Sequence, residues 1–338
     1  WANEFTETSE DKTLVFSMAG IVSSVGGAMF YVLPLLPFFV TTEITPQILK
    51  VSVLLGALFL VPGIFLALKL VPSGPAHQPL AQTEGEPVAT LAQQVKALLV
   101  ALYHNKPFVI LMLTVMCSGI ASGMWGGLFF IFVDTFLSLG TQFAELSVWG
   151  MVMGAVAIPI WYRLAIRWGK RRTWLIGMAL LLLVFFGTGL LQPGAEGFYK
   201  LFALNMLMTF AGGSAGVVAA PMLCDTIDYG RLKDGAERSA VYFAINGVMA
   251  KVQLAMGGAI GFMLVGWFGF DMQATEQTPL GITGMRLSVA WIPMFFMVAA
   301  MFLIARMPLT EERMKVVRRR LKMRDERLQH AASSLAAA

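Results

Sequence analysis

The stretch that decides the fold spans residues 221–270 and reads PMLCDTIDYGRLKDGAERSAVYFAINGVMAKVQLAMGGAIGFMLVGWFGF. An apolar segment, predicted to be a helix, leads into a dense charged turn from Asp225 to Arg238. A second apolar helix is predicted to begin near Ser239, and it carries one lysine, Lys251. At about 1.5 Å per residue, Lys251 lies about 18 Å along that helix, near the middle of a hydrocarbon core of roughly 30 Å. Because a cation there is costly beside lipid, we expect Lys251 to face a watery cavity, an acidic partner or a tight helix–helix contact.

The composition around this stretch is that of an integral membrane protein. The chain has 338 residues, of which 57% are hydrophobic and 13% are charged. Soluble domains carry about 25% charged residues. The formal net charge of +5 comes from loops and the tail, so no nucleic-acid partner is expected. The scattered cysteines and histidines indicate no metal site, and no cofactor is expected apart from a coupling cation, Na⁺ or H⁺.

The chain is predicted to be an all-α membrane protein, because its long apolar runs lack the short alternating strands of a closed barrel. Eight such runs are each long enough to span a bilayer. Their approximate limits are 14–41, 48–71, 108–137, 144–166, 173–192, 199–224, 239–269 and 286–307.

Lysine and arginine crowd one set of connections between these runs, and the opposite set holds almost none. By the positive-inside rule the basic set is cytoplasmic, as are both ends of the chain. We therefore expect a multi-pass protein of the plasma membrane, and specifically of a bacterial inner membrane.

The longest connection divides the chain into unequal parts. Residues 1–71 hold two spans, residues 72–107 form the connection, residues 108–307 hold six spans, and residues 308–338 form a basic tail. The connection is predicted to be a flexible linker followed by an amphipathic helix. The tail is expected to form an amphipathic helix at the anionic inner surface of the membrane, with an unstructured tail as the alternative.

Polar and aromatic side chains inside the spans are candidates for a substrate or cation pathway. Tyr242, Asn246 and Gln253 share one stripe of a helix, and Lys251 lies on roughly the opposite side. The stripe is expected either to line the pathway or to make interhelical hydrogen bonds. Trp125 and Trp149 are candidates for stacking on a sugar ring, with packing as the alternative for each.

The charged block after residue 224 is a candidate gate. Asp225, Asp228, Tyr229, Arg231 and Arg238 fall within it. Such a cluster can form ion pairs that exist in only one state of a rocking transporter. The alternative is a solvated loop without a role.

The pattern Asp-x-x-Asp-Tyr-Gly at 225–230, with Arg238 after it and Lys251 in the next span, resembles a known family of transporters. These are the glycoside–pentoside–hexuronide:cation symporters of the major facilitator superfamily, which include melibiose permeases. Three further segments agree with the resemblance: the acidic segment at 4–13, Asn-Lys-Pro at 105–107 and the basic turn at 169–172.

The resemblance implies cation-coupled symport of a sugar or glycoside by alternating access. It also implies a fold of twelve helices in two halves, in which the eight spans correspond to helices five to twelve. The chain is then expected to be a fragment without the first four helices, and the transporter is expected to be a monomer surrounded by membrane lipid. Lys251 matches a lysine that the family places near its cation site.

Two other functions are alternatives to the symporter, and a third is not expected. Some relatives move amphiphilic solutes such as lysolipids, which leaves a transporter of that kind open. A non-transporting membrane sensor would be indicated by a long signalling domain, and none is seen. An enzyme is not expected, because no span carries paired carboxylates, a His/Cys cluster or a nucleophile motif.

Overall fold

A computed structural model describes residues 9–32, 46–70 and 103–337, apart from residues 193, 195–196, 236–237, 272–273 and 275–276. In chain order the helices are α1 Ser9–Val32, α2 Pro46–Leu70, α3 Lys106–Ile131, α4 Phe143–Trp168, α5 Lys170–Gly189, α6 Phe198–Asp234, α7 Ser239–Trp267, α8 Pro279–Arg286, α9 Ile292–Ala305 and α10 Glu311–Ala337. A π-helical segment, Phe132–Phe136, continues α3, and another, Leu287–Trp291, joins α8 to α9.

The predicted fold class is confirmed, since the protein is a helical, multi-pass membrane protein. Seven helices in the described part of the chain are long and apolar enough to cross a bilayer. They match the predicted spans from the second to the eighth. The first predicted span, 14–41, is described only as far as Val32, where it forms α1. The predicted amphipathic helix between α2 and α3 lies outside the described residues.

Successive spanning segments alternate in direction, with α8 and α9 forming one span, so their ends collect at two levels. The basic residues that the sequence placed on one side lie where α1, α3, α5 and α7 begin and where α4, α6 and α9 end. We call this level the charged end of the bundle. The other level is the opposite end.

Helix α6 extends further than predicted. The sequence placed a turn from Asp225 onward, but α6 continues in helical form to Asp234 and is 37 residues long. The carboxylates of Asp225 and Asp228 form ion pairs with cations from other elements. These charges are therefore stabilised within the protein, and the segment does not have to be a solvent-exposed loop. The helix stops at Gly235, whose φ of 78° is a left-handed conformation that glycine adopts readily.

Helices α3 and α7 approach closely enough for their backbones to touch. A Cβ atom built on Gly123 would lie 2.9 Å from the carbonyl oxygen of Leu254 and 3.2 Å from the Cα of Gly257. One built on Gly127 would lie 3.3 Å from the Cα of Gly258. These glycines, spaced four apart on α3, form a seam of the kind that brings membrane helices into direct contact.

The tail forms the helix α10, which excludes the unstructured alternative for residues 311–337. The structure shows this helix docked on protein, and its position at the membrane surface stays a prediction. Its apolar residues Met314, Val317 and Leu321 are buried and join the main hydrophobic core. The tail is therefore an integral wall at the charged end of the bundle.

Candidate functional site

A cavity of about 680 Å³ lies between α1, α3, α4 and α6. This size is typical of sites for small molecules. Among the described residues that line it, none has a charged side chain. Glycines create part of the space: Cβ atoms built on Gly126, Gly154 and Gly216 would meet no other atom within 4 Å. The cavity is thus a neutral chamber formed where four helices present small residues to one another.

Aromatic rings form one wall of this cavity. Trp125 and Phe129 stack with their ring centroids 5.3 Å apart, and Phe143 packs 5.7 Å from Phe129. Trp125 is also fixed from behind by the edge of Phe185, at 6.1 Å. These rings pack against one another, so they offer a continuous aromatic surface to a bound molecule.

Hydrogen-bonding groups also line the cavity. The Asn205 side chain is buried, and its Nδ2 donates to the carbonyl oxygen of Leu146 at 2.8 Å. That bond orients the amide, and its Oδ1 accepts no hydrogen bond from the residues that the structure describes. Gly150 makes room for this arrangement, because a Cβ there would lie 3.2 Å from Asn205 Nδ2. Asn205 therefore offers an oriented acceptor in an apolar setting, with Ser147 and Thr209 beside it.

A network of ion pairs lies at the charged end and centres on Asp225. Lys170, the first residue of α5, donates to Asp225 Oδ2, and Arg318 of α10 donates to Asp225 Oδ1 at 2.7 Å. The Asp225 and Lys170 side chains are only 6% and 5% exposed. Glu311 lies 3.9 Å from the Lys170 Nζ but is itself 42% exposed. Asp225 thus joins three elements through charges that are withdrawn from water.

Asp228, one helical turn further on, extends the network to the N-terminal part of the chain. Lys12 of α1 donates to Asp228 Oδ2 at 3.0 Å, and the Nε of Arg318 lies 3.6 Å from the same oxygen. Lys12 is 4% exposed. The ion pair between Lys12 and Asp228 connects α1 to α6 at the charged end of the bundle.

Asn105 connects α3, α6 and α7 at the charged end of the bundle. Its Oδ1 accepts from the backbone N–H of Phe108 and caps α3. Its Nδ2 donates to the carbonyl oxygen of Thr226 on α6 and to the hydroxyl of Tyr242 on α7, both at 2.9 Å. One buried amide thereby fixes the positions of α3, α6 and α7.

The structure separates the residues that were predicted to form the pathway. Only Trp125 lines the central cavity. Trp149 lies on the outer surface and is 50% exposed, and Tyr242 is engaged by Asn105 at the charged end. Asn246 is half-buried on α7. The part that these residues play in transport stays a prediction.

Lys251 and Gln253 lie on different faces of α7, as their spacing predicts. The Gln253 side chain covers Gly119 of α3, and its Oε1 is buried without a hydrogen bond from the described residues. Lys251 is exposed on a face that also carries exposed Ala244, Gly247 and Ala255. This face contacts neither the cavity nor the α3 seam.

The remaining predicted gate residues occupy the rim of the network. Arg231 pairs with Asp325 of α10 at 3.2 Å, and Arg238 pairs locally with Asp234 at 3.6 Å. Tyr229 is half-buried beside α10. The gate as predicted contained the two aspartates but not the partners Lys12, Lys170 and Arg318.

Sequence reasoning also missed Asn205. A signal was present, because this asparagine lies in the middle of an apolar run, and polar residues at membrane depth usually face a protein interior or a cavity. The partners of the aspartates had a weaker signal, since each is one of many basic residues near the ends of the spans.

Comparison with known proteins places these features in context. Residues 1–311 match the protein family described as MFS/sugar transport protein. The chain is 28% identical over 221 residues to the glucuronide carrier protein homolog of Escherichia coli K12. That match covers 64% of this chain and 47% of the relative. It is 27% identical over 141 residues to the isoprimeverose transporter of Lactiplantibacillus pentosus, covering 41% of this chain and 28% of that protein.

A third relative is the symporter YnaJ of Bacillus subtilis, which is 27% identical over 177 residues. That match covers 52% of this chain and 38% of the relative. The chain thus spans less than half the length of the curated relatives that it matches.

Proposed function

Because this chain belongs to the MFS/sugar transport protein family, we propose that it carries out cation-coupled symport of a sugar or glycoside, by alternating access. The observation that carries the proposal is the central cavity, which combines an aromatic wall with hydrogen-bonding groups and has no charged side chain among the described residues that line it. Sugars and glycosides without an acidic group are neutral, and they present both an apolar ring face, which packs on aromatic rings, and hydroxyl groups, which form hydrogen bonds. The cavity chemistry therefore suits a sugar better than it suits an ionic solute.

The ion-pair network supplies the gate in this proposal. It lies at the charged end and connects α1, α5, α6 and α10 through Asp225 and Asp228. Opening a path there requires these pairs to separate, which is the behaviour expected of contacts made in one state of a transporter. The coupling cation, Na⁺ or H⁺, would bind elsewhere, because the cavity lining in the described residues holds no carboxylate.

The second candidate substrate is an amphiphilic solute such as a lysolipid. The cavity favours it in one respect, because the lining also includes the apolar residues Met151, Ile158, Met208 and Val217. Competition by lysophospholipids, but not by disaccharides, would support this candidate over the sugar.

The cavity proposal predicts a specific effect of Asn205→Leu, which keeps the side-chain size and removes the acceptor. In cells that express the protein, transport of the best substrate from a panel of radiolabelled disaccharides, pentosides and hexuronides should require about tenfold more substrate. Loss of one hydrogen bond in a desolvated site costs about 1.5 kcal/mol. The matched control is Thr188→Val, a buried hydroxyl that bonds only within α5. Unchanged affinity in Asn205→Leu, or equal loss in the control, would remove Asn205 from the substrate site.

The orientation of the protein is proposed from the same charge distribution, with the charged end in the cytoplasm of a bacterial cell. A cysteine at Tyr199, which is 84% exposed at the opposite end, should react with a membrane-impermeant maleimide in intact cells. A cysteine at Lys315 of α10 should react only after the membrane is permeabilised. The unsubstituted chain is the background, since Cys117 and Cys224 lie within spanning helices. The reverse labelling pattern would contradict the orientation.

A further inference from the structure

A groove at the charged end, separate from the central cavity and from the ion-pair network, has an unusual distribution of charge. It has a volume of about 590 Å³ and lies between the start of α3, the end of α6 and the outer side of α10. The basic residues that line it are His104, Lys106, Lys233, Arg313 and Arg320. In the part of the chain that the structure describes, no acidic side chain lines it.

The cations of this groove differ from those of the neighbouring network. Lys12, Lys170, Arg231 and Arg318 each meet a carboxylate. In contrast, none of the four Lys and Arg side chains of the groove forms an ion pair with a residue that the structure describes. Lys233 and Arg313 donate only to carbonyl oxygens, those of His104 and Pro308. The positive charge of the groove is therefore not compensated by these residues.

The floor of the groove is apolar. Leu232 of α6, Leu309 and the α10 residues Val316 and Val317 line it together with Tyr229. Val316 is 52% exposed, so an apolar surface is open to an occupant. A soluble anion would use only the cations, whereas a molecule with an anionic head and an apolar chain would use both surfaces.

The groove also lies at the right level to meet a membrane. Lys106 is the first residue of one spanning helix, and Lys233 is in the last turn of another. The ends of spanning helices meet the lipid headgroups, where basic pockets between helices bind anionic lipids. We propose that this groove is a binding site for an anionic phospholipid, with its phosphate among Lys106, Lys233, Arg313 and Arg320 and an acyl chain on the apolar floor.

A bound lipid would act on the tail helix as well. One side of α10 forms the groove through Arg313, Val316 and Arg320, while Arg318 on the same helix holds Asp225 and Asp228. An occupied groove would stabilise the docked position of α10 and, through it, the ion pairs of the network. The identity of lipids in the surrounding leaflet would then influence how firmly the charged end is closed.

The test compares two double variants that each remove two positive charges. Lys106→Gln with Arg320→Gln alters the groove, and neither residue has an ion-pair partner among the described residues. Lys315→Gln with Arg319→Gln is the matched control, because both are exposed on α10 outside the groove. The purified chain in detergent is titrated with palmitoyl-oleoyl phosphatidylglycerol or with the phosphatidylcholine of the same chains, and bound lipid is counted by native mass spectrometry.

The unaltered protein is expected to retain phosphatidylglycerol in preference to phosphatidylcholine. The groove variant should bind phosphatidylglycerol roughly thirtyfold more weakly, given the contribution of a basic residue near an anionic surface, and the control should change less than threefold. Val316→Glu, which puts a carboxylate on the open part of the floor, should weaken binding as well. Circular dichroism of each variant verifies that the helices have formed.

Several outcomes would overturn the proposal. Equal weakening in both double variants would indicate diffuse surface attraction, and equal retention of the two lipids would indicate no headgroup selection. Displacement of the lipid by millimolar inorganic phosphate, or tighter binding of a soluble acidic peptide, would assign the groove to another ligand. Because binding is measured without transport, a failure here leaves the proposed symport untouched.

Discussion

Asp225→Asn is expected to destabilise the protein by about 3 kcal/mol, because it leaves the buried ammonium of Lys170 without its carboxylate. Removing one partner of a buried ion pair is costly, since the remaining charge stays away from water. Among the described residues, Glu311 also lies near the Lys170 Nζ, at 3.9 Å, but it is more exposed than Asp225. The measurement is chemical unfolding in detergent micelles, followed by tryptophan fluorescence.

The matched control for this prediction is Asp325→Asn, which breaks the pair with Arg231 on the same face of the bundle. Those side chains are 37% and 35% exposed, so the expected loss is below about 1 kcal/mol. Asp225→Glu keeps the charge and should restore part of the stability lost in Asp225→Asn. If Asp225→Asn and Asp325→Asn lower the free energy of unfolding equally, the pair between Lys170 and Asp225 is screened by water and does not stabilise the charged end.

Lys251→Ala is expected to abolish accumulation driven by a cation gradient while exchange of substrate across the membrane continues. Lys251 lies within a spanning helix, exposed on a face whose small neighbours Ala244, Gly247 and Ala255 allow close helix approach. A lone cation at that depth requires an acidic partner or water. A coupling cation that competes with Lys251 for such a carboxylate would link ion binding to helix movement, and alanine would remove that link.

The measurement is uptake by cells that express the protein carrying this sequence, under an imposed Na⁺ gradient and, separately, an imposed proton gradient. Lys251→Arg should restore little, because the planar guanidinium is larger and does not deprotonate readily. Lys200→Ala is the control, since it removes an exposed lysine at the opposite end of the bundle. If Lys251→Ala accumulates substrate as the unaltered protein does, Lys251 has a structural role only.

The sequence predicted the helices well and their partners poorly, and the reason is physical. Apolar length reports the cost of placing a segment in lipid, so the spans from the second to the eighth matched helices within a few residues, except at α6 and α8. Helix α8 begins earlier because Thr278 caps it, accepting from the Gly281 N–H, with Pro279 in its first turn. Hydropathy contains no information about such local caps.

The charged block shows the limit of reasoning from composition most clearly. Residues 225–234, considered alone, have the charged composition of a solvated turn, and the sequence predicts a turn there. In the fold, Lys170, Arg318 and Lys12 come from segments 55 to 216 residues away in the chain and neutralise the two aspartates. A single sequence does not reveal which distant cation meets which carboxylate. Asn205 was missed for a related reason, because its cavity exists only once four helices have assembled.

The glycine seam between α3 and α7 restricts which surfaces of the protein can move. Where Gly123 and Gly257 bring two backbones together, no layer of side chains exists that could change rotamer and let the helices slide. A sideways shift there would collide main chain with main chain or open a void. Helices α3 and α7 are therefore expected to travel as one rigid unit, so any motion that reaches Lys251 must also carry Trp125 and the aromatic wall with it.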